Sequence, residues 1–385
     1  MPDYDVIIVG GGLAGLTAAI DLRQKGYEIL VLEKSPYPRH KVCGEYVSNE
    51  ILPYFERLGV SLETAGAIDI NELQVSTANG KNIGCELPLG GKGISRYAFD
   101  ALLYERAGIL GVSFLFQQVT DIRQVTDIRH VGDIGRDGPL FEVATESGGN
   151  FTARVAIGAY GKRDKLDKSL DRAFTEGKSP WLAVKAHYTY DDFPENQVAL
   201  HNFRGGYAGL SKTETGAVNF CYLVSYSSFR EVGSVDDFNH GIVAKNPFLR
   251  EFLDKATPLF EKPLTIAQVD FSSKMAVERH ILMCGDAAGL IHPLCGNGMA
   301  MAIHSAQIAA ALVDEYLGGK SLTQNQLEKE YTRQWDAAFS GRLRWGRRLQ
   351  SLLLNKRLSD VAVTAMVGSP WAVRQLVKRT HGKPL

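Results

Sequence analysis

The 385-residue chain is poor in cysteine, with five residues at 43, 85, 221, 284 and 295, an odd number without a C-x-x-C pair. That scatter suits neither a disulfide framework nor a zinc site, so no metal is expected, and a reducing cytoplasm is the expected compartment. Net charge is also lacking, with 43 Lys and Arg against 43 Asp and Glu, and no basic-aromatic stripe offers to stack bases. Nucleic acid is therefore not an expected partner. No apolar run reaches the roughly eighteen residues of a membrane span, and MPDYDVIIVGGG enters an apolar strand without the basic and apolar regions of a signal peptide. Neither a Ser-His-Asp arrangement nor a paired carboxylate is evident, so any redox chemistry has to come from a cofactor that the protein binds and orients.

What is present begins at residue 5. The run Val6 to Val9 suits a buried parallel strand, Gly10, Gly12 and Gly15 follow the G-x-G-x-x-G pattern, and Leu16 to Leu22 repeats apolar residues at helical spacing. Gly10 permits a tight strand-to-helix turn, Gly12 lets a pyrophosphate approach the backbone, and Gly15 lets the helix pack on the sheet. Leu13 and Ala14 complete the turn, at a helix end that carries roughly +0.5 charge. A second strand over 27–32 ends at Glu33 and Lys34, where the carboxylate can accept from ribose hydroxyls. Strand, glycines, helix, strand and acid in this order predict a dinucleotide site, and an acid at 33 favours an unphosphorylated ribose, hence FAD or NAD.

Far downstream, HILMCGDAAGLIHPLCGNGMAMAIHSAQIAAAL runs a short apolar strand into Gly285-Asp286, then through a proline-bearing loop to Gly296, Asn297 and Gly298 before a helix from about Met299. With the N-terminal fingerprint, this resembles the two-part FAD signature of the para-hydroxybenzoate hydroxylase-like flavoproteins. The resemblance implies non-covalent FAD, with Asp286 on the ribityl chain and the helix start at Gly298 and Met299 near the flavin pyrimidine edge. ISRYAFDALLYERA, 94–107, is similar to the family's R-x-x-F/L-D-x-x-L helix, which would place Arg96 near the pyrophosphate. VAIGAYGKRDKLD, 155–167, sits where the hydroxylases carry an Asp-Gly motif. Tyr160 replaces the aspartate, while Gly158 and Gly161 still read as a turn near the dinucleotide.

The segment PRHKVCGEYVS, 38–48, resembles the K-x-C-G-x-G/E segment of the geranylgeranyl reductase branch. By that resemblance Cys43 lines the flavin, Gly44 lets backbone approach the ring, and Arg39 and Lys41 add positive charge. Gly289, where hydroxylases usually have histidine, leans the same way or toward the flavin-dependent halogenases. The halogenase W-x-W-x-I-P motif is missing, and Gly209 stands where the reductases have tryptophan in FRGGYAGLSKTETGAVNFCYL.

The expected fold is α/β: a Rossmann-like FAD-binding domain (1–66, 93–180 and 276–325), an inserted antiparallel β-sheet substrate domain (67–92 and 181–275) and a helical C-terminal region (326–385). The duplication VTDIRQ then VTDIRH reads as a hairpin expansion, and a helix break is expected at 368–370. Residues 341–385 carry ten Lys or Arg and one acid, Asp360, which reads as helix solvent faces or as a basic surface in peripheral contact with a membrane.

The expected reaction is reduction or dehydrogenation of a small hydrophobic substrate, isoprenoid- or polyketide-like, by hydride passage through flavin N5. Alkene reduction also needs a proton donor, and the candidates are Cys43, Tyr46, His292 and Tyr207. With one dinucleotide fingerprint, electrons would come from a transient NAD(P)H or from a separate redox partner, between which the sequence does not choose. The alternatives are a flavin monooxygenase of the same fold and a non-enzymatic lipid-binding relative, like the Rab GDP-dissociation inhibitors.

Overall fold

A computed structural model describes residues 1–125, 139–162, 164–177, 179–290, 297–319, 322–354, 369 and 382–385. The strand Tyr4–Val9 lies at the centre of the first sheet. It pairs in parallel with Ile29–Leu32 on one side and Asn150–Gly158 on the other, and the parallel order continues to Ser113–Leu115 and Ile281–Met283. Parallel strands are covered on both faces and so read as unbroken apolar runs, and Ile29–Leu32 is buried at every position. The helices Leu13–Gln24, Arg96–Ile109 and Gly298–Leu317 supply the covering surface. The strands Val119–Val125 and Leu140–Thr145 pair antiparallel beside Asn150–Gly158. The first copy of the duplicated hexapeptide is thus a strand, which takes in Val125 of the second, and the rest of the second copy lies outside the described residues.

The second sheet has nine strands among the described residues. It departs from the expected antiparallel pattern at one place: Ile68–Ser76 and Gln197–Phe203 pair in parallel, Glu72 opposite Gln197 through Ser76 opposite His201. The cause is connectivity, since a parallel pair needs a long crossover and the segment 94–180 of the first unit intervenes between them. A further departure is that the chain turns helical after Ser225, over Tyr226–Arg230, Val235–Gly241 and Pro247–Lys255. Side-chain caps from Ser225, Ser234 and Asn246 open these helices, a polar signal that apolar alternation does not register.

The strands Trp181–Thr189, Gly206–Lys212 and Val218–Ser225 give this sheet two unlike faces. Leu182, Val184, Leu210, Phe220 and Tyr222 face outward and pack with Phe238, Leu249 and Phe252 of the helices. The opposite face presents cross-strand rows: His187, Asn219 and Ser211; Lys185, Cys221 and Gly209; Ala183, Leu223 and Tyr207. Polar at one end and apolar at the other, it is the face that meets loop 38–45.

The last helix among the described residues, Gln324–Leu354, packs on Gly298–Leu317 through Tyr331, Trp335 and Phe339, all buried. The expected helix break at 368–370 and most of the basic segment lie outside the described residues. Among the described residues no helix is long and apolar enough to cross a membrane.

Candidate functional site

The site starts where the first strand ends. Gly10 adopts φ +105°, and a side chain there would run into the Ala159 carbonyl; a Cβ at Gly15 would lie 1.9 Å from the Gly10 carbonyl oxygen. Both glycines permit backbone to pass backbone. Gly12 differs: it is the N-cap of Leu13–Gln24 without a side-chain cap, and a Cβ there would meet only Arg96 Nη2 at 3.7 Å and Lys41 Nζ at 4.0 Å. Leu13 and Ala14 are buried in the first turn behind it.

One fully buried carboxylate orients those two cations. Arg96 clasps Asp100 through Nε at 2.7 Å and Nη2 at 2.8 Å, and Lys41 Nζ reaches Asp100 at 2.7 Å. Burial pushes the Asp100 carboxyl up, but Arg96 and Lys41 outweigh it and hold the group below the usual carboxylate range. Burial and the Arg96 charge lower Lys41. Two cations against one anion leave positive charge beside uncapped helix amides, a donor set that fits a pyrophosphate.

Glu33, at the end of the second strand, is buried and accepts from Gly11 N at 2.9 Å. Arg39 pairs with Glu33 at 2.7 Å, whereas Lys41 and Arg96 pair with Asp100. Lys34 is half exposed and pairs with Asp164 at 3.2 Å. Gly161, φ +93°, leaves open space where a side chain would stand. The Tyr160 hydroxyl donates to Asp167 at 3.1 Å and accepts from Arg172 at 3.2 Å, so the tyrosine closes a buried ion pair in this departure from the hydroxylase motif.

Gly285, φ +60°, lets its turn close on both helices, since a Cβ there would meet Ala14 at 3.2 Å and Ala302 at 3.3 Å. Asp286 follows and is thereby brought beside the first helix. Asn297 donates to both oxygens of the buried Glu50, at 3.2 and 3.3 Å, and Gly298 and Met299 open the helix Gly298–Leu317. His292 and Gly296 lie outside the described residues. Lys274, absent from the expectations, joins this region: its ammonium donates to the carbonyls of Lys162 at 2.8 Å and Asp286 at 2.9 Å, and burial lowers its pKa to about 8.

Loop 38–45 lies across the polar end of the sheet's inner face. Three of its carbonyls are held from three strands: Lys41 O by Lys185 Nζ at 3.1 Å, Cys43 O by Asn219 at 3.2 Å and Gly44 O by Ser211 at 3.4 Å. Cys43 is half-buried, and Gly44 is exposed with open space where a Cβ would stand. The other two proton-donor candidates are placed differently. Tyr46 is buried against Gly91, donates to Gly90 O at 3.3 Å and packs with Ile70, Leu73 and Leu87. Tyr207 lies in the apolar part of the inner face with Trp181, Leu223 and Phe271, a cluster that reaches Val42 of the loop and Leu290 after the GDAAG turn.

Sequence reasoning passes over the group beneath the loop. Glu45 is fully buried; its carboxylate accepts from the Arg96 amide at 2.7 Å, pairs with the equally buried Lys185 and meets His187 Nε2 at 2.6 Å. Burial alone would raise Glu45, but the His187 hydrogen bond and the Lys185 charge hold it below the ordinary carboxylate range. His40 packs nearby, its ring edge-on to His187 at 5.0 Å and tilted against Phe260 at 4.7 Å, and burial with the Lys185 and His187 charges lowers its pKa. Ligand atoms of His40, Glu45 and His187 lie within 4.8 Å of one another. The Lys185 ammonium already supplies the positive charge a metal would bring, so the cluster is a closed ion pair. The only local signal for it is an acid directly after Cys-Gly.

The comparisons agree with this geometry. A digeranylgeranylglycerophospholipid reductase of Methanosarcina acetivorans is 24% identical over 349 residues, 86% of this chain and 80% of the relative. Among solved structures, the flavin-dependent brominase Bmp2 superposes with a TM-score of 0.75 at 18% identity, over 98% of this chain and 93% of that one. PqsL of Pseudomonas aeruginosa, described as a probable FAD-dependent monooxygenase, gives 0.70 at 16% identity, over 94% and 99%. The family described as FAD binding domain matches residues 3–334. Fold, cradle and family match agree that FAD is the cofactor: this chain belongs to the FAD-binding domain family, within the para-hydroxybenzoate hydroxylase-like oxidoreductases.

Proposed function

We propose that this FAD-dependent oxidoreductase reduces or dehydrogenates a hydrophobic, isoprenoid- or polyketide-like molecule, with hydride exchange at the flavin and a proton held by the protein. The supporting observation is the inner sheet face. Its apolar rows, Trp181, Ala183, Tyr207 and Leu223, continue to Val42 on one side and Leu290 on the other. Gly209 adds no side chain to that face. A greasy substrate laid there would reach loop 38–45, where Cys43 is the candidate proton holder and Tyr207 the candidate hydroxyl. The relative named as a lipid reductase supports the same class. The bound FAD supplies hydride chemistry; the chain's own work is to exclude water with the apolar rows and to offer a proton at a thiol or phenol. Electrons would come from a visiting NAD(P)H or a redox partner, as only one dinucleotide fingerprint is present.

The second reading is a monooxygenase, favoured by the likeness to PqsL. One experiment separates the two. Holoenzyme is reduced chemically without oxygen, then mixed either with an unsaturated prenyl lipid under argon or with isotopically labelled O2 in the presence of the lipid. The reductase reading expects lipid-dependent flavin reoxidation under argon and no label in the product. Labelled product, with no reoxidation under argon, overturns it.

A further inference from the structure

The Glu45 cluster has a geometry that neither FAD binding nor the apolar rows require. Glu45 is a non-glycine residue in the left-handed region, φ 55°, directly after a glycine. That conformation is uncommon for a residue with a side chain and strains the backbone. A second glycine would remove the strain, so what keeps glutamate here is its side chain. The carboxylate joins three groups on two elements: the Arg96 amide that opens helix Arg96–Ile109, and Lys185 and His187 on the strand Trp181–Thr189. Lys185 passes the connection back by donating to Lys41 O, and the Glu45 carbonyl accepts from Ile94 N at 3.1 Å.

The consequence falls on Cys43 and Gly44. They are bracketed by two fixed points, Lys41 O held by Lys185 and Glu45 held by all three partners. Arg96 and Lys41, the two cations beside Gly12, are attached to the same knot by their backbones. We propose that Glu45 is a positioning residue for the flavin reaction: through Lys185, His187 and the Arg96 amide it registers the Cys43–Gly44 turn, the phosphate-binding cations and the substrate face as one rigid unit. The inference rests on the FAD site of the preceding section and not on whether reduced flavin meets an alkene or oxygen, so failure of either leaves the other standing.

Removing one charge would strand another in the interior, which is strongly destabilising, whereas replacing both members of a buried pair by neutral groups of similar shape is often tolerated. The test therefore uses Glu45→Gln combined with Lys185→Met, and separately Glu45→Asp, which keeps the charge but shortens the arm. Two quantities are read on folded protein. One is the rate at which iodoacetamide alkylates Cys43 in the apoprotein, mapped by peptide mass; Cys221 and Cys284, whose thiols burial pushes up to about 12, react slowly beside it. The other is the ratio of affinities for oxidised and reduced FAD. Positioning predicts alkylation at least about tenfold faster and an affinity ratio altered about tenfold, about 30 mV in the two-electron midpoint potential. Both should appear in at least one variant whose melting temperature stays within a few degrees of wild type. A variant that folds with wild-type Cys43 reactivity and a wild-type affinity ratio overturns the proposal, because a merely structural ion pair would move neither.

Discussion

Gly12→Ala should separate binding from folding more sharply than any other single change. The Gly12 backbone, φ −88° and ψ −171°, is open to any residue, and a new methyl would meet nothing closer than Arg96 Nη2 at 3.7 Å. Folding should therefore lose no more than about 1 kcal/mol, the scale of an altered N-cap. Binding should lose far more. The methyl would stand between the uncapped helix amides and the pyrophosphate, in the gap that Arg96 and Lys41 face. Losing two charge-assisted hydrogen bonds at about 1.5–3 kcal/mol each weakens FAD by about 3–6 kcal/mol, on the order of 10²- to 10⁴-fold in Kd.

Gly10→Ala and Gly15→Ala are the controls. Their Cβ atoms would lie 2.4 Å from the Ala159 carbonyl oxygen and 1.9 Å from the Gly10 carbonyl oxygen, contacts with backbone that no rotamer change relieves. Both should lower the melting temperature of the apoprotein by many degrees. The assay is thermal unfolding of each apoprotein, followed by FAD titration of those that fold. If Gly12→Ala melts as low as Gly10→Ala, or binds FAD within about threefold of wild type, the division of labour among the three glycines is wrong.

Three further outcomes are expected. Cys43→Ser should keep fold and flavin while turnover falls about 10- to 1000-fold, the range of a proton-transfer contribution; a lowered melting temperature with unchanged turnover per flavin would make Cys43 packing alone. Gly289→His should destabilise the apoprotein by about 1–3 kcal/mol through overpacking, because even a Cβ there would lie 3.1 Å from the Trp335 ring and 3.3 Å from Leu343; the measurement is the melting temperature with Trp335 fluorescence, and wild-type values for both would refute the packing argument. Lys274 has a folded pKa of about 8 against 10.5 for an ordinary lysine, so the unfolded chain holds more protons between those values and stability should rise with pH across that window, by on the order of 1 kcal/mol per pH unit; Lys274→Met should abolish that rise in pH-dependent denaturant unfolding.

How much of this was legible in the sequence depended on whether a residue's role is set by its neighbours along the chain. The dinucleotide turn was legible because each glycine serves a local need, and the strand, glycines, helix and acid that reveal it occupy thirty-odd consecutive residues. The FAD turn at Gly285-Asp286 was legible for the same reason. The helices after Ser225 were missed because the apolar alternation of the preceding strands was carried past the serine and asparagine caps that end it. Arg39 is, by resemblance, a source of positive charge near the FAD; its partner Glu33 lies six positions away at a strand end, and which carboxylate a flexible arginine chooses is decided by packing.

Gly289 and Glu45 show the two ways in which a family resemblance and a physical cause can part. Gly289 reads, in sequence, as a mark of the reductase or halogenase branches of these flavoproteins, a statement about chemistry. In the fold its lack of a side chain is what lets the Trp335 ring of the last helix close over the GDAAG turn. That is a statement about packing, and it would hold whichever substrate the enzyme takes. Glu45 is the reverse case. In sequence it is one acid among 43, and its partner Lys185 stands 140 residues away on the strand Trp181–Thr189. No periodicity links the two, since a buried ion pair between segments far apart in the chain leaves no pattern in either. Yet the pair fixes the loop that carries Cys43, so a thiol marked out by its local motif is held in place by residues that no local motif marks.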